Sequence, residues 1–166
     1  VEKYAIACGN CLDSLGNKEK ALELYTHALK LNKNSEAALL NLSTLNYELG
    51  NYDKSADFAQ KALNQNPNNM VAWQNLANIA FCRGDYEVAL QDYQKMYEQN
   101  NNSYIAMINL ANTYYSLGKY VLALEFAKKS LGRHPSSVVA NMISGNALAA
   151  MEKYEKAIDK YLRAYE

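Results

Sequence analysis

The sequence predicts an all-α solenoid of five tandem helix-turn-helix repeats. Three observations carry that prediction: a 34-residue period without insertions, a glycine recurring at one phase of it, and small residues at two others. With the register begun at Glu2, Glu36, Met70, Tyr104 and Val138, one column reads Gly9, Ser43, Ala77, Ala111, Gly145. A second reads Ala21, Ser55, Ala89, Ala123, Ala157. Gly16, Gly50, Gly84 and Gly118 stand where a helix must stop and turn, and only Glu152 breaks that column. Glycine there supplies the positive φ of a helix end without a Cβ clash.

Apolar residues at three- and four-residue spacings on either side of each glycine give two amphipathic helices per repeat. In the first, Ala5, Cys8, Leu12 and Leu15 form one face of a helix over 2–15; after the Gly16-Asn17 turn, Ala21, Leu24, Tyr25 and Ala28 form a face over 18–31. The second repeat predicts helices over 36–49 and 52–65, ended by Pro67, whose ring and missing N–H stop a helix. The third predicts 70–83 and 86–99. Its Ala77 and Ala89 allow a close crossing, while Trp73, Leu76 and Tyr93 fill space toward the next hairpin. The fourth predicts 104–117 and 120–132, ended by Pro135, and the fifth 138–151 and 154–166. One array over 1–166 is expected, with repeats at about 2–35, 36–69, 70–103, 104–137 and 138–166. Val1 already lies inside a repeat, so the chain is expected to be a fragment of a longer protein.

Bulky columns complete the pattern: Leu42, Leu76 and Leu110, and Tyr52, Tyr86, Tyr120 and Tyr154. With Trp73, Ala77, Ala89 and Tyr93 in the third repeat and Ala111, Tyr114, Ala123 and Pro135 in the fourth, the chain resembles the tetratricopeptide repeat (TPR) family, whose signature runs W-x2-L-G-x2-Y, A-x3-F, P. The resemblance spans essentially the whole chain. It implies a right-handed superhelix in which the first helix of each pair lines a concave channel and the second faces outward.

Hydrophobic residues make up 49% of the chain and charged residues 20%, so burial is ample and disorder is not expected. Lys plus Arg and Asp plus Glu both number 17, and a net charge of zero argues against nucleic acid or an anionic membrane as the main partner. No apolar run approaches the roughly 20 residues a membrane helix needs. Three cysteines make no disulfide framework and favour a reducing compartment such as the cytoplasm. Charges such as Lys54, Asp57, Asp85, Asp92, Lys119 and Lys128 fall on second helices or their turns, as a solvated outer face would have them.

The resemblance brings Asn41, Thr44 and Tyr47, then Gln74, Asn75, Asn78 and Phe81, then Ile108, Asn109, Asn112 and Tyr115 into the channel as peptide-binding candidates. Two amide ladders result: Asn41, Asn75, Asn109, and Asn10, Asn78, Asn112, Asn146, with Thr44 as the latter's second rung. A primary amide offers donors and an acceptor, so such rungs either pair with the backbone of an extended peptide or bridge neighbouring helices. Tyr47, Phe81 and Tyr115 add one ring per repeat. Family members that clamp a terminal carboxylate carry bases where this chain has Ile6, Val71 and Asn75, so that mode is not expected.

No catalytic, cofactor or metal site is predicted. Cys8 and Cys11 form a C-x-x-C string, but Leu42 and Leu45 occupy the same columns one repeat on, so both thiols are read as small core hydrophobes. His27 and His134 lie at opposite ends of the array. The expected function is a protein-interaction scaffold for an uncharged or apolar peptide segment. Two alternatives are the substrate-recruiting arm of a larger enzyme, since the ladders resemble those of sugar-transferring members, and self-association through Ile158, Tyr161, Leu162 and Tyr165 on the last helix.

Overall fold

The computed structural model describes residues 1–165, and these form ten α-helices: α1 Glu2–Ser14, α2 Lys18–Leu31, α3 Glu36–Glu48, α4 Tyr52–Gln65, α5 Met70–Arg83, α6 Tyr86–Gln99, α7 Tyr104–Ser116, α8 Tyr120–Arg133, α9 Val138–Ala150 and α10 Tyr154–Tyr165. Each expected helix is present and shifts by at most one residue at its end; the expected end at Glu166 lies outside the described residues. Leu15, Leu49, Leu117 and Met151, read as helical, are C-caps. Behind them Gly16, Gly50, Gly84 and Gly118 take φ of 70–83°, and Glu152 adopts 59° in the same place. The turn they make is a Schellman closure: Gly16 N–H donates to the Asp13 carbonyl and Asn17 N–H to that of Leu12. Ser35, Ser103 and Ser137 start α3, α7 and α9 by accepting from the backbone N–H three residues on.

The chain divides into two compact units, Val1–Ile79 and Ala80–Glu166, the division falling inside α5. In the first, Ala21 and Tyr25 of α2 bury Leu42 and Leu45 of α3, while Leu39, Ala59, Ala62, Leu63 and Ala72 join α3, α4 and the start of α5. Trp73 and Leu76, expected to face the next hairpin, pack on this cluster from the preceding one. At the α3–α4 crossing the two small columns meet: Ser43 Oγ donates to the Ser55 carbonyl at 3.0 Å and Ser55 Oγ to the Ser43 carbonyl at 2.7 Å. Cys8, Cys11 and Leu15 depart from their predicted burial and are exposed. Leu42 and Leu45 are covered by the preceding α2, whereas nothing among the described residues covers that side of α1.

In the second unit α6 to α10 pack consecutively, and α7 also meets α9. Ala111, Ala127 and Ile143 form its central cluster with Ile108 and Phe126, and Tyr97 and Tyr114 set their rings against Phe126. Asp92 was expected on the solvated face but is only 8% exposed, beside Lys95 at 3.2 Å. It occupies the phase that Phe58 and Phe126 fill in other repeats, a half-buried position, so the lysine compensates a carboxylate drawn partly out of water.

Candidate functional site

The candidate residues all lie on first helices, and the two units treat them differently. In the first unit Asn10 Oδ1 accepts from both Tyr25 Oη and Asn41 Nδ2, each at 2.9 Å. Asn75 is 5% exposed, and its amide nitrogen donates to Ser43 Oγ at 2.9 Å and Thr44 Oγ1 at 3.0 Å. These rungs bridge neighbouring helices. Asn75 is therefore corrected from a peptide-contacting residue to an internal brace, and Asn41 has its donor engaged in the same way. Thr44 is the acceptor of that brace. Gln74 and Asn78 are half-buried on α5. Tyr47 is half-buried with its ring 5.7 Å from that of Tyr52 across the hairpin turn. Beside it Lys18 and Glu48 pair at 2.5 Å; hydrogen bonding to that carboxylate pushes the Lys18 ammonium above its ordinary pKa.

In the second unit Asn109 and Asn112 on α7 are half-buried, and neither side-chain amide has a hydrogen-bond partner among the described residues. For Asn112 the cause is two residues: 31 positions on, where Asn41 serves Asn10, stands Ile143, and the tyrosine 15 positions on is missing as well. Tyr25 and Tyr161 each stand 15 positions after an asparagine and donate to it, Tyr161 Oη to Asn146 Oδ1 at 2.8 Å; 15 positions after Asn112 stands Ala127. The helix that carries the free amides packs on α9, and both helices expose apolar side chains. Ile105, Val139 and Met142 are each about half exposed, and Ile108 is half-buried. Phe81 and Tyr115 lie against Tyr86 and Tyr120 at 5.1 and 5.6 Å, so each ring is anchored by its own hairpin. Val139 and Met142 were missed by the sequence reading. Their signal was present, since they stand one period after Ile105 and Ile108.

No group of three or more His, Cys, Asp or Glu that could hold a metal ion occurs among the described residues, and none of the described helices is long and apolar enough to cross a membrane. Tandem helical hairpins with amide- and apolar-lined first helices define the class: an all-α repeat scaffold of the protein-interaction type.

A tetratricopeptide-repeat family model matches residues 14–79, and a model for anaphase-promoting complex, cyclosome, subunit 3 matches residues 93–164. Both matches are of tetratricopeptide-repeat type, and over those residues the chain is similar to that family. A search of curated proteins finds no match. Among solved structures, a MamA protein is 20% identical with a TM-score of 0.82, covering 98% of this chain and 89% of its own. MamA from Desulfovibrio magneticus RS-1, residues 41 to the end, is 16% identical with a TM-score of 0.88 over 99% and 93%. YrrB, described as a TPR protein with an unusual peptide-binding site, is 24% identical with a TM-score of 0.76 over 96% and 82%. At these identities the likeness is one of fold.

Proposed function

We propose that the chain is a non-catalytic scaffold that holds an extended, uncharged or apolar segment of a partner protein along α7 and α9. The observation that carries the reading is the pair of amides on α7 with no partner among the described residues, Asn109 and Asn112, on a helix that exposes Ile105 and packs on α9, which exposes Val139 and Met142. Half-buried amides without partners gain most from an incoming backbone, which supplies an N–H and a C=O at regular spacing. Each such bond contributes about 0.5–1.5 kcal/mol, and the apolar side chains beside them add burial. A peptide-binding site in YrrB, a protein of similar fold, supports the reading at the level of architecture.

An array of short uncharged peptides, probed with the purified chain, tests it. Peptides alternating apolar and small polar residues should be retained, and Asn109→Ala/Asn112→Ala should lower their affinity about tenfold, as two lost hydrogen bonds would. Equal retention by the double variant would sink the proposal. A second reading, self-association, has its own support in α10, where Ile158 and Leu162 are more than half exposed and Tyr165 is 91% exposed. Sedimentation showing monomer at every concentration would remove it.

A further inference from the structure

The second unit carries another feature on its second helices, separate from the face just described. A groove of about 490 Å³ runs between α8 and α10, with Leu124 of α8 and Leu148 of α9 among its lining residues and lysines around them. Lys128 comes from α8, Lys153 from the turn before α10, and Lys156 from its first turn. Two carboxylates also line it. That of Asp159 is held by Arg163 at 3.2 Å and lies 3.7 Å from Lys160, so it does not neutralise the other three lysines. Among the described lining residues Glu155 is then the one remaining acid against Lys128, Lys153 and Lys156, none of which has a carboxylate partner among the described residues.

We infer that this groove binds an acidic peptide segment carrying a large apolar side chain. The chain as a whole has zero net charge, so the attraction for an anion comes from the local cluster of lysines and fades over about 10 Å at ordinary salt. The two leucines offer an apolar pocket that a phosphate backbone would leave unfilled. Glu155 and Asp159 oppose the dense, evenly spaced charge of a nucleic acid or an anionic membrane more than the sparser charge of a peptide.

Fluorescence polarisation with a short labelled peptide of alternating glutamate and leucine tests this. Binding should weaken as salt is raised, and Lys128→Glu/Lys156→Glu should reduce affinity by about tenfold or more, since attraction is replaced by repulsion. Lys30→Glu/Lys54→Glu, which alters exposed lysines of the first unit by the same charge, should leave it unchanged. A serine-for-leucine peptide should bind about fivefold more weakly. Equal binding of a lysine-for-glutamate peptide, insensitivity to the Lys128/Lys156 reversal, or stronger binding of polyuridine or phosphatidylserine vesicles than of the acidic peptide would overturn the inference.

Discussion

Matching columns of the two units hold the same residue types in different states of closure. Tyr25 and Tyr161 both lay a ring over a glycine and donate to the asparagine beside it, yet Tyr25 is 2% exposed and Tyr161 38%. Asn75 and Asn109 share a column, yet the first is a buried brace and the second has an amide with no partner among the described residues. Repeat position supplies the residue type, and the neighbours one repeat away decide whether it braces the fold or remains available to a ligand.

The glycine pair tests this most severely. A Cβ on Gly9 would come within 2.5 Å of the Tyr25 ring, and one on Gly145 within 2.6 Å of the Tyr161 ring. The two clashes are alike, but the means of relief differ. Tyr25 is sealed by Leu42 and Leu45, so Gly9→Ala should destabilise by about 2 kcal/mol even after alanine's better helix propensity. Tyr161 can swing toward solvent, so Gly145→Ala should cost less than about 1 kcal/mol. Urea unfolding of the two variants checks the contrast, and equal losses would contradict it.

Asparagine gives the next largest effect. Asn75→Ala removes two hydrogen bonds of a buried amide and should cost about 1.5 kcal/mol, whereas Asn109→Ala should fall within about 0.5 kcal/mol of the parent. Should Asn109→Ala destabilise as much as Asn75→Ala, Asn109 would be a brace and the proposed peptide contact would lose its basis.

Much of this division was within reach of the sequence, and the rest required coordinates for physical reasons. The helices follow from a period and a glycine column, and Glu152 adopts the positive φ of that column without its glycine, because the flanking helices still have to turn there. Amide partners sit 15, 31 and 32 residues apart, at hairpin and inter-repeat contacts that no helical periodicity reports. The 15-residue Asn–Tyr spacing could have been read as a pair, because Tyr25 and Tyr161 follow Asn10 and Asn146 at the same distance and Ala127 fails to follow Asn112 so. Cys8 and Cys11 were misread because column logic assumes that every first helix has a preceding hairpin against it, and none among the described residues covers that side of α1.

Asn141 reverses the usual order of the units. At its phase the first unit has Leu39, buried in the α3–α4–α5 cluster, but Asn141 is buried with Nδ2 unpartnered among the described residues, as is Ser130 Oγ on the preceding helix. Desolvating an amide without a partner costs more than a neutral hydrogen bond returns. Asn141→Leu should therefore stabilise by about 1 kcal/mol, read as a higher urea midpoint. A lower midpoint would show that the amide is satisfied in solution.

The smallest difference lies in the polar clasps beside the helix ends. In the first unit Asn32 Nδ2 donates to Glu2 at 3.0 Å, and hydrogen bonds from Ser35 and Asn32 hold the Glu2 carboxyl below its ordinary pKa. In the second unit Arg133 donates to Asn102. A carboxylate with a lowered folded-state pKa contributes its stability above the unfolded value and loses it as the pH falls through the folded one. A guanidinium carries its charge throughout that range. Glu2→Gln should accordingly show a small deficit in urea midpoint near neutral pH that closes in acid, while any deficit of Arg133→Gln should persist there. A Glu2→Gln deficit of constant size down to acid would mean that the clasp acts through the shape of the side chain and not through its charge.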